Sequence, residues 1–182
     1  ITVKGDQSLN KRSMKKLISL MSMFGATFLP KNKFNFPLKL ISSNMPVQIF
    51  SESGVSAQLK SAVILAGLNA FGNTKIIEKA QSRNHTENML AKNKKVININ
   101  KKKKIITVIG KKFLNPITVS VPGDPSSAAF FTALTLLNSN SKILLKNVGL
   151  NPSRIGFYKI LKKQGAKIIF KNLRRKNFEI IG

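Results

Sequence analysis

Cysteine and tryptophan are absent from these 182 residues, and acidic groups are scarce: six Asp and Glu, with one His and one Tyr. The lack of cysteine excludes a disulfide framework, a thiolate metal site and a cysteine nucleophile. The single histidine, His85, has no Cys, His or carboxylate cluster beside it, so a hydrogen bond at a helix start is expected rather than metal ligation. With one Tyr and no Trp, aromatic platforms for stacked bases are few. Apolar runs around 62–68 and 128–137 fall short of the roughly 20 residues that cross a bilayer, so no membrane segment is read. Residues 1–6 carry neither a basic leader nor an apolar stretch, so no signal peptide is expected, and the reading is a soluble, cytoplasmic protein. No Gly-rich nucleotide loop, serine elbow or metal motif occurs.

What is abundant is lysine. Lys and Arg number 32, giving a net charge of +26, which ordinarily points to nucleic acid or anionic lipid. The lysines, however, are spread along the whole chain, and only 92–104 (KNKKVININKKKK) is dense. Val96, Ile97 and Ile99 alternate with polar neighbours there, the pattern of a hairpin strand with solvated ends. A basic nucleic-acid-binding protein is therefore the alternative class, and no nucleic-acid partner is the main reading. Hydrophobic residues make up 42%, enough for a packed core.

The periodicities describe an α/β chain. Met14, Leu17, Ile18, Met21 and Phe24 form a helical stripe, with Gly25 at the natural C′ position and a strand after it. Stretches 36–41 and 47–50 read as a hairpin or paired strands. Residues 56–70 are apolar nearly all round, so a buried helix is expected, followed by a strand over 74–78. A short helix (84–92) and strands over 96–100, 105–109 and 117–121 come next. Pro and Gly at 122–125 then break the chain before a second buried helix at 126–137. Strand 142–147, helix 153–164 and a strand pair near 167–171 and 178–181 complete the reading. Two echoes stand out: LISLMSMFGATF (17–28) beside FYKILKKQGAKI (157–168), and 62–78 beside 129–145. They suggest one αβ module used repeatedly. The chain opens on Ile1 without a start methionine and closes just after a strand, so an internal fragment is expected.

Three segments place polar or basic groups at helix starts, where free N–H groups and the helix dipole favour anions. They are Ser8 to Ser13 with Arg12, Ser56-Ala57-Gln58, and Ser82 to Glu87 with Arg83, whose planar fork suits phosphate or carboxylate. Each has a plainer alternative: Ser56 as an N-cap, Arg83 as a surface ion-pair member, Asp124 as a cap for the helix after Pro125.

These strings, in this order and at about this spacing, resemble those of bacterial 5-enolpyruvylshikimate-3-phosphate (EPSP) synthases. They are Gly5-Asp6-Gln7-Ser8-Leu9 with Arg12 and Met14, Ser56-Ala57-Gln58-Leu59-Lys60-Ser61-Ala62, Ser82-Arg83-Asn84-His85-Thr86-Glu87, Val121-Pro122-Gly123-Asp124-Pro125-Ser126-Ser127, and Asn151-Pro152-Ser153-Arg154. The resemblance implies the enolpyruvyl transferase fold, an inside-out α/β barrel of repeated βαβαββ-like modules with buried helices, arranged as two globules and incomplete here. Residues 1–120 would be part of the first globule and 121–182 the first module of the second. It implies transfer of the enolpyruvyl group of phosphoenolpyruvate to the 5-hydroxyl of shikimate 3-phosphate, with release of phosphate and no cofactor or metal. Arg12 would hold phosphoenolpyruvate, at the position where glyphosate sits. Ser56 and the Ala57 backbone would hold the shikimate phosphate, Gln58 would reach the ring, and Arg83 would complete the phosphate pocket. At full length the family resemblance implies a monomer.

Two departures stand out: Ser13 replaces the usual Pro, loosening a helix start, and Asn84 replaces the usual Asp, removing a carboxylate partner for a nearby base. The acid/base residues are expected beyond Gly182, so no catalytic residue is assigned and the fragment is expected to be inactive alone. UDP-N-acetylglucosamine enolpyruvyl transferase shares the architecture and is the alternative within the fold, with the Ser-Ala-Gln and Ser-Arg-x-His-Thr-Glu strings favouring the shikimate enzyme.

Overall fold

The structure is a computed structural model that describes residues 1–93 and 95–182. In chain order the first elements are β1 (Thr2–Val3), α1 (Gln7–Asn10), α2 (Lys15–Met23), β2 (Thr27–Leu29), β3 (Leu38–Ile41), β4 (Phe50–Ser53), α3 (Ala57–Asn69) and β5 (Asn73–Glu78). They are followed by α4 (His85–Leu90), β6 (Ile97–Asn100), β7 (Ile105–Ile109), α5 (Pro125–Leu137), α6 (Gly156–Lys163), β8 (Arg174–Lys176) and β9 (Glu179–Ile181). Two compact units result: Ile1–Ser82 with Leu90–Asn115, and Arg83–Met89 with Pro116–Gly182.

In the first unit β1, β3 and β2 form an antiparallel sheet in that order, and β4-β5-β7-β6 form a mixed one. Only β4 and β5 run parallel, and α3 is the crossover that this direction requires. Ile76 pairs with Ile106, and Ile97 with Val108. All four are buried with Val63, Ile64 and Leu68 of α3, so the helix expected to be buried is the core element here. Within the lysine-rich stretch, Ile97–Asn100 form β6 and 101–104 the exposed turn leading to β7, as its alternation suggested; position 94 lies outside the described residues. Segments 36–41 and 47–50, by contrast, do not pair with each other. β3 joins β1 and β2, while β4 joins β5 and Val47 bridges Phe71. Alternation marks a segment as extended but carries no information on its partner.

The 17–28 and 157–168 echo is realised in backbone geometry. After α2, Gly25 takes φ +91°, its N–H reaches Ser22 O at 2.9 Å and Ala26 N–H reaches Met21 O at 3.2 Å. After α6, Gly165 takes φ +93°, with Gly165 N–H to Lys162 O at 3.1 Å and Ala166 N–H to Leu161 O at 3.0 Å. Both are the same two-bond helix stop, which needs a left-handed residue and so selects glycine.

The second unit departs further from expectation. Residues 117–121, 142–147 and 167–171 form no ladder; Gly123 and Val148 make a single parallel bridge, and the hairpin is β8 with β9. A strand exists only in a ladder of hydrogen bonds to a neighbour, and here the one backbone bond of this kind among the described residues is Gly123 N–H to Asn147 O at 2.9 Å. Likewise α5 buries only Pro125, Ala128 and Thr132, leaving Phe130 79% and Leu137 85% exposed. A helix apolar all round needs cover on every side, and here one side is packed. Leu150, Ile155 and Tyr158 complete the small core.

Candidate functional site

The start of α3 concentrates polar groups at one point. Ser56 is its N-cap in extended backbone, and its Oγ accepts from Leu59 N–H at 3.4 Å. Ser56 Oγ also lies 3.5 Å from Gln58 Oε1, to which it can donate. The plain alternative for Ser56 is thus realised, and it leaves room for more. A helix start presents N–H groups without intrahelical acceptors, and the Leu59 N–H is satisfied by the cap. Among the described residues the Ala57 and Gln58 N–H groups have no acceptor. The Ala57 methyl is buried, anchoring that turn, while the Gln58 amide is exposed. One turn further, fully buried Lys60 makes an ion pair with Glu78 at 2.7 Å, tying the first turn of α3 to the end of β5.

Arg12 lies on the link between α1 and α2, three residues ahead of the helix. Asp6 caps α1 through Leu9 N–H at 2.7 Å, and Asp6, Gln7, Ser8, Lys11 and Arg12 line an open groove. The Asn35 amide donates to Lys11 O at 3.2 Å and Arg12 O at 3.1 Å, so the backbone carrying Arg12 is held from a distant loop. Ser13 Oγ accepts from Lys15 N–H at 3.4 Å, while Met14, the N-cap of α2, makes no side-chain cap bond. Among the described residues Arg12 has no carboxylate partner.

Arg83 is half-buried and belongs to the second unit, whereas Arg12, Ser56, Ala57 and Gln58 belong to the first. Directly before it Ser82 Oγ is buried and has no hydrogen-bond partner among the described residues. Directly after it the side chains are tied down. Asn84 Oδ1 accepts from Asn151 Nδ2 at 3.0 Å, and Glu179 Oε1 lies 2.7 Å from His85 Nδ1. His85 therefore has its carboxylate partner in Glu179, while the side chain at position 84 is engaged by Asn151. Asp124 caps α5 through Ser126 N–H at 3.0 Å, as expected, and also pairs with Arg154 at 2.6 Å.

Sequence reasoning did not single out Ser82 or Glu179 as site residues. Ser82 had a signal, a hydroxyl beside an arginine at a helix start. Glu179 had none, because it meets His85 from 94 residues away. Among the described residues no group of three His, Cys, Asp or Glu could hold a metal, and no helix is long and apolar enough to cross a membrane.

Free N–H groups, a hydroxyl and an amide at one helix mouth, and in each unit an arginine with no carboxylate partner among the described residues, define an α/β protein with groups suited to small anions. The chain belongs to the EPSP synthase (3-phosphoshikimate 1-carboxyvinyltransferase) family, whose profile matches residues 1–180. It is 40% identical over 181 residues to the 3-phosphoshikimate 1-carboxyvinyltransferase of Ruegeria sp. (strain TM1040), covering 98% of this chain and 40% of that protein. It is 43% identical over 180 residues to that of Sulfurihydrogenibium sp. (strain YO3AOP1), covering 97% and 42%. The EPSP synthase structure from Acinetobacter baumannii superimposes with a TM-score of 0.81 at 32% identity over 99% of this chain and 40% of that one. The fold is therefore the enolpyruvyl transferase fold, and the chain spans about two-fifths of the length of these relatives.

Proposed function

We propose that these residues supply part of the substrate site of an enzyme that transfers the enolpyruvyl group of phosphoenolpyruvate to the 5-hydroxyl of shikimate 3-phosphate, releasing phosphate. The observation that carries the reading is the mouth of α3, where the Ser56 hydroxyl, the unpartnered Ala57 and Gln58 N–H groups and the Gln58 amide stand together. Ser56 and Ala57 N–H take the shikimate phosphate, and Gln58 reaches the ring. Arg83, on the second unit, offers a two-pronged donor suited to a phosphate, and Ser82 carries a hydroxyl that is unsatisfied among the described residues. Arg12 takes phosphoenolpyruvate. Both substrates are anions, so bringing them together requires fixed cations and dipoles that offset their repulsion.

The proton-transferring carboxylates that the family resemblance implies have no counterpart assigned within 1–182. The chain alone is thus expected to bind and not to turn over. Residues 1–120 belong, in this reading, to the first globule and 121–182 to the second, in a cytoplasmic protein that is monomeric at full length.

The test is an NMR titration of the 182-residue chain with shikimate 3-phosphate, then phosphoenolpyruvate, alongside a phosphate-release assay. The amides of Ala57 and Gln58 and the Arg83 Nε–H should shift with the first ligand, and Arg12 with the second, without phosphate release. Millimolar shikimate 3-phosphate moving none of these signals, while a DNA duplex does, would refute the reading.

A further inference from the structure

The segment that carries Arg83 is too short to hold itself. α4 has six residues, well below the dozen or more at which an isolated helix becomes even marginally stable. Its placement must come from side chains: Leu90 is buried in a hydrophobic core, Thr86 and Glu87 are bonded as well, and the second unit adds one carboxylate. Glu179 Oε1 lies 2.7 Å from His85 Nδ1 and accepts from Asn88 Nδ2 at 3.4 Å; these two residues are three apart and share a helix face. Glu179 Oε2 accepts from Asn151 Nδ2 at 3.0 Å, and the same Nδ2 donates to Asn84 Oδ1 at 3.0 Å. Both carboxylate oxygens are therefore engaged, on a side chain only 14% exposed.

The anchor itself is firmly set. Glu179 begins β9, which pairs with β8, while Leu150 N–H donates to Ile180 O at 2.7 Å and Gly182 N–H to Val148 O at 3.2 Å. Asn151 Oδ1 is in turn fixed by Ser153 N–H at 3.0 Å and Ser153 Oγ–H at 2.7 Å.

We propose that Glu179, with Asn151 as its relay, is the positioning residue for Arg83: it holds the turn 84–88 so that the guanidinium just before it is presented in one orientation to a phosphate. The ligand part of this inference rests on the reading of the site given above. An ionised carboxylate has no proton to give, so the His85 Nδ1 must donate. Neutral His85 is then the Nδ1–H tautomer, leaving Nε2 as an acceptor.

The test uses the 182-residue chain, Glu179→Ala, Glu179→Gln, Asn151→Ala and Arg83→Met. The ring nitrogens of His85, the one histidine, give a single set of NMR signals. The parent chain should show the Nδ1–H tautomer at high pH. In Glu179→Ala that preference should be lost and the amides of 83–89 should become more mobile, while Glu179→Gln, which keeps one acceptor oxygen, should retain part of the order. Shikimate 3-phosphate affinity should fall about tenfold to a hundredfold in Arg83→Met, the range for a charge-assisted hydrogen bond.

Glu179→Ala should cost about three- to tenfold alone and nothing further when Arg83 is already Met, the signature of residues acting through one contact. Asn151→Ala should act in the same direction with a smaller loss, and serves if Glu179→Ala folds poorly. Equal losses with and without Arg83, or unchanged His85 and 83–89 signals in Glu179→Ala, would overturn the proposal. If the parent chain ignores shikimate 3-phosphate, the substrate reading falls, and the ring and amide signals alone decide whether Glu179 holds the segment.

Discussion

Tyr158 offers a test in which one side chain reports on itself. It is 6% exposed, donates its hydroxyl to Pro125 O at 2.5 Å, and packs edge-on against Phe157 and Phe170 at 5.5 and 6.3 Å between ring centres. Burial pushes its pKa above the usual 10; a hydrogen bond with the Thr132 side chain pulls it down, and the Asp124 charge adds a further upward push. A group whose pKa is raised by folding holds its proton more tightly in the folded state. Its contribution to stability is therefore complete below about pH 10 and declines as pH rises through the folded-state value, by at most about 1.4 kcal/mol per pH unit.

Tyr158→Phe removes the hydroxyl and keeps both ring contacts, so at neutral pH it should cost about 1 kcal/mol, the net worth of one hydrogen bond. Tyr158→Ala also empties the space of the ring and should cost about 3–5 kcal/mol. With one tyrosine and no tryptophan in the chain, phenolate absorbance at 295 nm reads this site alone, and urea unfolding at successive pH values reads the stability. Lysines also titrate in alkali, so the quantity to follow is the difference between the parent and Tyr158→Phe. That difference should be constant up to about pH 10 and shrink above it. A phenolate midpoint at or below 10 in the folded chain, or a Phe variant as damaged as the Ala variant, would refute the reasoning.

Ser56 should separate stability from binding. Ser56→Ala should lose about 1 kcal/mol in urea titration and Ser56→Gly only a few tenths, because glycine is an acceptable cap. Calorimetry with shikimate 3-phosphate should show the same loss of affinity in both, about tenfold, since neither has a hydroxyl to donate to the phosphate. At Gly110 an added Cβ would fall 1.8 Å from Ala70 O and 2.9 Å from Gly67 O, so Gly110→Ala must displace the backbone at the end of α3. It should cost about 1–3 kcal/mol or more by urea midpoint, whereas Gly54→Ala, with nothing within 4 Å, should stay within about 0.5 kcal/mol of the parent.

Periodicity and capping, properties of neighbouring residues, determined a large share of this protein without any fold. The stripe from Met14 to Phe24, the glycine stops after α2 and α6, the Ser56 and Asp124 caps and the β6–β7 hairpin each depend on contacts a few residues apart. The family strings carried the residues proposed for the substrate site at the mouth of α3 for the same reason, since Ser56, Ala57 and Gln58 are consecutive. Partner choice was not legible. The pattern that marks 36–41 and 47–50 as extended is identical whether they pair together or, as here, in two different sheets. Nor does an apolar run say what covers it, so α5 reads as buried and yet exposes Phe130 and Leu137. Tertiary structure alone decided that the carboxylate beside His85 comes from Glu179, because a hydrogen bond spanning 94 residues exists only once the chain between them has folded. Local interactions can be read along the chain; pairings between distant segments are set by global packing, which no short window of residues contains.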